Sequence, residues 1–332
     1  MTKRHKSGSA VEDAKALLLD GAGGGAPIAL REAMAHKPSS GPGFVWLHIH
    51  RDEANTRATL RKCGLDDFIC DALMADETRP RCTVHGSGVV LNLRGVNLNP
   101  GAEPEDMVSV RLWVEAGRVI GVWLRKLTAI DDLGVAITRG QAPDSPGEFI
   151  AHLALRLAAG AEPTIAALNE SIDELEELVL QNSADVPRAK LSAVRRSAIL
   201  LRRYMLPQRD ALSALVIEPL PWLSAIERSQ LREAVERILR LGEELDAIRD
   251  RAQIVHDQVI DTRGAAMQHQ MLVLSVVAAV FLPLGLIAGL LGMNVGGIPF
   301  ANSPFGFGFV MLCVAGVAAG LVWWFRRIGM FR

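Results

Sequence analysis

No phosphate-binding loop, G-x-S-x-G nucleophile turn or H-E-x-x-H pair occurs in the 332 residues, so the sequence offers no catalytic constellation and no enzyme is expected. A strong charge imbalance is missing too. With 36 basic against 37 acidic residues the formal net charge is −1, which excludes the basic profile of a nucleic-acid binder. Cysteine is scarce. Cys63, Cys70, Cys82 and Cys313 form no C-x-x-C pair and no disulfide framework, so a reducing, cytosolic setting is expected for the large N-terminal part. The basic, polar start from Met1 to Ala10 runs into no apolar stretch, and no secretory signal peptide is expected. The most telling absence is of charge within two long runs. The 21 residues from Met271 to Leu291 carry no charged side chain, nor do those from Phe305 to Leu321 and on through Trp323, Trp324 and Phe325.

At ~1.5 Å rise per residue the first run makes about 31 Å of helix, which matches a hydrocarbon core of ~30 Å. The chain is therefore expected to end in a transmembrane helical hairpin, with spans at about 271–291 and 305–325. The connecting loop, Gly292 to Pro304, holds no charge, whereas Arg263 precedes the first span and Arg326, Arg327 and Arg332 follow the second. By the positive-inside rule both termini are expected in the cytoplasm and the Gly292-Met293-Asn294 turn outside. Trp323, Trp324 and Phe325 would form an inner interfacial belt beside the arginines.

The length of 332 residues suggests about two domains. Residues 21–43, rich in Gly, Pro and Ser, read as loops. Phe44 to His50 alternates as a strand does, and a helix is expected from Glu53 to Ala75. Further strands fall at Val89 to Leu93, Met107 to Val114 and Val119 to Leu124, the last two around a hairpin turn at Glu115-Ala116-Gly117-Arg118. Residues 127–139 and 147–160 look helical. This makes 1–160 an α/β or α+β cytosolic domain, and 161–266 a region of long helices leading to the hairpin at 267–332. Pro163 suits a first helical position, opening an acidic amphipathic helix. A second helix, Pro187 to Ile217, carries Arg195, Arg196, Arg202, Arg203 and Arg209, which are expected to pair with that acidic helix. A third starts at Ser224 as N-cap, with Glu227 at the capping-box position, and has no break strong enough to end it before Leu291. Pro283 lies within it, where a membrane helix can absorb a kink.

Candidate chemistry is sparse. His48, His50, Cys82 and His85 match no zinc-ligand spacing, so core or surface roles are expected for them. Neither span holds Asp, Glu, Lys, Arg or His, which excludes a charge relay within the membrane. Two spans cannot enclose a conduit, so conduction would require several copies around an axis. Asn294 would then become a ring of amide oxygens suited to a cation still wearing its water. The alternative stays open at this level: Gly292-Met293-Asn294 could simply cap the helix, since Gly and Asn are common there.

The run Val280-Phe281-Leu282-Pro283-Leu284 through Ile287-Ala288-Gly289 to Gly292-Met293-Asn294 resembles the pore helix of the CorA superfamily of divalent-cation channels and transporters. The resemblance extends over nearly the whole chain. Within the superfamily it is most similar to the ZntB-type zinc transporters, on three segments: Glu77-Thr78-Arg79-Pro80-Arg81, Arg202 to Asp210, and Gly296-Gly297-Ile298-Pro299. The loop lacks the carboxylate that often follows in magnesium channels, while the chain keeps Met293 where some zinc-branch members carry Val, so the motif itself does not separate zinc from magnesium. The resemblance implies a CorA-like funnel and a homopentamer in the bacterial inner membrane, with no resident cofactor, moving Zn²⁺ or other divalent cations. It places Gly292, Met293 and Asn294 at the outer mouth and Met271, Leu274, Ala278, Leu282, Gly285 and Gly289 along the pore, a set whose spacings keep one helical face. Met271 and Leu274 would form an apolar constriction. Asp257 falls where magnesium channels hold a regulatory metal between subunits, with a solvated helix face as its alternative. Two other readings are a Mg²⁺ or Ni²⁺/Co²⁺ channel and a membrane-anchored helical scaffold that conducts nothing. Proton coupling, which the zinc branch implies, would have to use water or cytosolic groups, because the spans hold no carboxylate or histidine.

Overall fold

A computed structural model describes residues 14–37, 41–53, 55–76, 79–181, 186–293 and 303–328. The chain separates into two compact units, Met1–Val255 and His256–Arg332.

In the first unit, seven strands form one mixed sheet in the order β2-β1-β3-β7-β6-β5-β4. The strands are β1 (Ala14–Leu19), β2 (Gly25–Pro27), β3 (Phe44–His50), β4 (Arg81–His85), β5 (Gly88–Gly95), β6 (Val108–Glu115) and β7 (Arg118–Trp123). β3 and β7 pair parallel, with Val45 beside Arg118, and the other pairs are antiparallel. Strand alternation divides β3 between two cores. Val45, Leu47 and Ile49 join an apolar cluster with Leu60, Ile69, Leu73, Trp113 and Val122. Phe44 and Trp46 point the other way, onto Phe149, at ring-centroid distances of 6.2 and 5.1 Å.

The helix expected over Glu53 to Ala75 is two helices, α2 (Thr56–Lys62) and α3 (Asp67–Met74). Gly64 separates them at φ +81°, a backbone shape that L side chains avoid, and Asp66 then caps α3 by accepting from the Ile69 N–H at 2.9 Å. Residues 21–43 are not all loop, since they hold β2 and α1 (Leu30–Ala35), whose Ala33 is buried. Arg118 closes the hairpin after β6: its guanidinium donates to the Glu115 carboxylate and, at 2.7 Å, to the Cys63 carbonyl that ends α2. Gly117 supplies the left-handed residue that this turn needs.

After α4 (Thr128–Thr138), helix α5 runs unbroken from Pro146 to Leu180, so Pro163 lies inside a helix and does not begin one. Its apolar stripe, Leu157, Ala161, Ile165, Ile172 and Leu175, is buried on both sides of the proline. Pro163 and Ala159, whose carbonyl loses its partner, are both exposed, so water can satisfy that oxygen. α6 spans Arg188–Ile217 and α7 spans Ala225–Leu291 as one 67-residue helix. The capping box forms: the Glu227 N–H donates to Ser224 Oγ at 3.3 Å, and the Ser224 N–H donates to the Glu227 carboxylate. That carboxylate also accepts from the hydroxyl of Ser145, the N-cap of α5. One acid thus ties two helix starts together.

The arginine ridge of α6 is partnered differently from the expectation. Arg202 pairs with Asp246 on α7, and Arg209 pairs with its neighbour Asp210. The acids of α5 are taken by α7 and by one lysine of α6: Arg237 to Glu162, Arg251 to Asp173 and Glu176, and Lys190 to Glu174. α7 thus supplies the basic partner of three of these four α5 acids, which a two-helix reading omits.

Candidate functional site

The second unit contains the end of α7 and helix α8 (Gly306–Arg327), both long and apolar enough to cross a membrane, with mean hydropathy of 2.6 and 2.1 over their most apolar stretches. At the end of α8 the Arg327 guanidinium sits 5.2 Å from the Trp323 ring centroid, the aromatic-basic pairing expected at a membrane interface. Each helix has one stripe of lower exposure. On α7 it is Leu272, Val276, Val280, Pro283 and Ile287, and on α8 it is Val310, Val314, Ala318, Leu321 and Phe325. Stripes with steps of three and four are what a helical hairpin covers along its seam.

Successive residues of a helix turn by about 100°. On that wheel, Met271, Leu274, Ala278, Leu282, Gly285 and Gly289 centre on the side opposite the Val276 stripe. All six are exposed in the single chain, Leu274 at 70% and Leu282 at 73%. Their polar capacity is nil, and three of the six are Ala or Gly, so copies of this face could approach an axis closely. α7 ends at Leu291, where the Gly292 N–H closes the last turn on the Ala288 carbonyl at 2.9 Å. Gly292 and Met293 are exposed. Asn294, Glu77, Thr78, the loop Gly296-Gly297-Ile298-Pro299 and Arg332 lie outside the described residues. Asp257 is exposed on α7, in the second unit.

The remaining candidates disperse. Among the described residues, no group of three or more His, Cys, Asp or Glu stands together as a metal site. His48 is buried against Trp123, their rings stacked at 5.8 Å, and burial followed by the charge of Lys15 drives its pKa down to about 3. Gly121 makes that possible, since a Cβ there would stand 2.5 Å from His48 Nδ1. His50 bonds the Leu124 carbonyl at 3.1 Å, and His85 bonds Asp66 at 2.6 Å. Burial pushes the Cys82 thiol up to about 12, which keeps it protonated.

Sequence reasoning missed a different feature. Arg79 and Arg203-Tyr204, from two of the segments that carry the family resemblance, line one cavity of about 640 Å³ with Arg94, Arg111 and Arg125. Alternating polar residues on β5 and β6 (Asn92, Arg94, Ser109, Arg111) were the available signal.

Among the described residues the fold combines a mixed sheet, long helices and two C-terminal helices long and apolar enough to cross a membrane. Residues 41–327 match the family described as "CorA-like Mg2+ transporter protein". The chain is similar to the divalent cation transporter CmaX of Pseudomonas aeruginosa, with 38% identity over 94% of each chain. It superposes on the structure of full-length CmaX with a TM-score of 0.84 and 37% identity, covering 97% of this chain and 99% of the other. It is also 34% identical to the zinc transport protein ZntB of Pectobacterium carotovorum over 93% of each. The complete structure of the CorA magnesium transporter from Methanocaldococcus jannaschii shares the fold alone, with a TM-score of 0.78 at 17% identity, over 94% of this chain and 98% of that one. The chain belongs to the CorA family of divalent-cation transporters. Its members transport ions and are not enzymes.

Proposed function

We propose that this chain carries Zn²⁺ through a homopentameric pore in the bacterial inner membrane, lined by the Met271, Leu274, Ala278, Leu282, Gly285 and Gly289 face of α7. The observation that carries this reading is the wheel of α7: the face opposite the hairpin seam is uncharged, rich in small residues and uncovered in one chain. Five copies would cover it by closing around an axis. Gly292, Met293 and Asn294 stand at the outer mouth in this reading, both termini are cytoplasmic, and the amide oxygens of Asn294 receive hydrated cations. Met271 and Leu274 form the apolar constriction, which opens and closes by wetting. A divalent ion moving inward gains about 4.6 kcal/mol per 100 mV of membrane potential, enough to drive uptake without ATP. Zinc is preferred over magnesium because ZntB is named a zinc transport protein and because the outer loop holds no carboxylate from Gly292 to Pro304. Asp257 is proposed as a contributor to an inter-subunit metal contact on the cytosolic part of α7. The domain division 1–160, 161–266 and 267–332 is proposed as the functional one: sheet domain, helical stalk, membrane hairpin.

Flux into proteoliposomes tests the reading. Zn²⁺ and Mg²⁺ uptake are measured for the native chain and for Asn294→Ala. Zinc uptake that falls about tenfold or more in the variant is expected. Unchanged zinc flux would remove Asn294 from the pathway, faster magnesium than zinc would reassign the cargo, and no flux from either chain would favour a scaffold.

A further inference from the structure

We infer that the cavity under β5 and β6 is a binding site for a phosphate-bearing small molecule, separate from the conduction residues. Register builds it. On the paired strands Asn92 stands opposite Arg111 and Arg94 opposite Ser109, so all four share one sheet face. At the far end of the same face, Val90 and Trp113 belong to the apolar cluster under α2 and α3. The face therefore changes from an apolar core to a polar chamber along the strands. Its volume of about 640 Å³ is that of a small-molecule site.

Arg111 is the unexplained group. It is 1% exposed, and only its Nη2 has a partner, the Asp76 carbonyl at 3.3 Å. Its Nε and Nη1 have none. Burial, followed by the nearby charges of Arg51 and Arg94, pulls its pKa down to about 10, so it remains a cation at neutral pH. A buried cation whose strongest charged neighbours are also cations is costly and calls for a counter-charge. Among the described residues, the acids lining the cavity are engaged elsewhere or exposed: the Asp76 carboxylate meets Arg51 at 3.1 Å, Glu105 accepts from the Ser197 hydroxyl at 3.0 Å, and Asp106 is exposed.

The other arginines are positioned for the same ligand. The Arg94 guanidinium lies 4.2 Å from the Tyr204 ring centroid and donates to the Met107 carbonyl at 3.1 Å, while its backbone N–H donates to Gln208 at 2.6 Å. Arg203 approaches the same ring at 5.8 Å. Guanidinium groups arriving from β5, β6 and α6 favour an anion with more than one charge and several acceptor oxygens. A phosphate group supplies both, and a single halide supplies neither.

Calorimetric titration of the detergent-purified full chain, free of divalent cations, tests this with inorganic pyrophosphate and adenosine diphosphate as probes. Sodium chloride at matched ionic strength is the reference. Saturable binding of at least one probe is expected, weakened about tenfold or more in Arg111→Met and in Arg203→Ser. Arg195→Ser, exposed on α6, should bind as the native chain does. Binding of pyrophosphate alone would identify an inorganic ligand, and binding of the nucleotide alone an organic phosphate; either supports the site. If Arg111→Met does not fold, Arg203→Ser, changed at an exposed position, carries the comparison. No saturable heat from either probe, equal affinity in Arg203→Ser, or the same response to sodium chloride would overturn the inference.

Discussion

Val276, Val277 and Ala278 are neighbours at one depth of the same membrane helix, and each step turns the side chain by about 100°. Val276 is 8% exposed and lies on the least exposed stripe of the helix, which we take as the hairpin seam, and Val277 is 45% exposed on the flank. Ala278 is exposed at the centre of the opposite face. If the proposed pore assignment holds, an aspartate placed at each in turn samples seam, lipid and lumen. At Val277 the insertion scale charges about 2.5 to 3.5 kcal/mol for the acid and removes a further ~0.3 to 0.6 for the valine. A loss of about 3 to 4 kcal/mol is a hundred- to a thousandfold fall in correctly inserted protein. At Val276 the acid enters a packed seam without a partner, and about 3 to 5 kcal/mol is expected. In the proposed pentameric pore the carboxylate at Ala278 would meet water in the lumen, so insertion should change by less than about 1 kcal/mol, and five added acids around the axis should raise cation flux several-fold. Carbonate-resistant membrane protein and Zn²⁺ uptake in proteoliposomes read the two effects separately. Equal losses at Val277 and Ala278, or a larger one at Ala278, would refute the assignment of this face to a pore.

Glu227→Gln should lower the stability of the first unit by about 1 to 2 kcal/mol, since the charge-assisted bonds at two helix starts weaken together; the thermal midpoint of the purified chain reports it. His48 predicts an acid-sensitive fold. Its pKa falls to about 3 in the folded chain, so the unfolded chain takes up the proton first and stability declines as pH drops from about 6.5 towards 3, by up to ~1.4 kcal/mol per unit. Denaturant midpoints across that range should flatten in His48→Leu, and an unchanged slope would assign the acid sensitivity to other groups. Arg251→Met removes the pairs with Asp173 and Glu176 between α7 and α5 and should cost about 1 kcal/mol, because the site is partly exposed; the loss should shrink in high salt.

Local patterns were read well where one segment holds its own reason to fold. The alternation of Phe44 to His50, the Ser224–Glu227 box and the uncharged runs each place an element from a few consecutive residues. β4 was missed because it is an edge strand with little burial, Arg81 to His85, whose pattern is too weak to register. Pro163 reads locally as a helix start because its intrinsic cost is local, whereas the burial of Ala161, Ile165 and Ile172 that carries α5 past it comes from other elements. The arginines of α6 were assigned to the wrong acids for a similar reason: pairing depends on which helices meet, and α7 supplies competing partners.

By itself the sequence determined the membrane hairpin and the single face of Met271 to Gly289, because these rest on periodicity and absent charge along one segment, while the family was legible as a resemblance carried by the Val280 to Asn294 run and three further segments. Only the tertiary structure decided where that face lies relative to the hairpin seam. It alone brought Arg79, Arg94, Arg111 and Arg203 around one cavity, because segments far apart in the chain meet only through sheet register and helix packing.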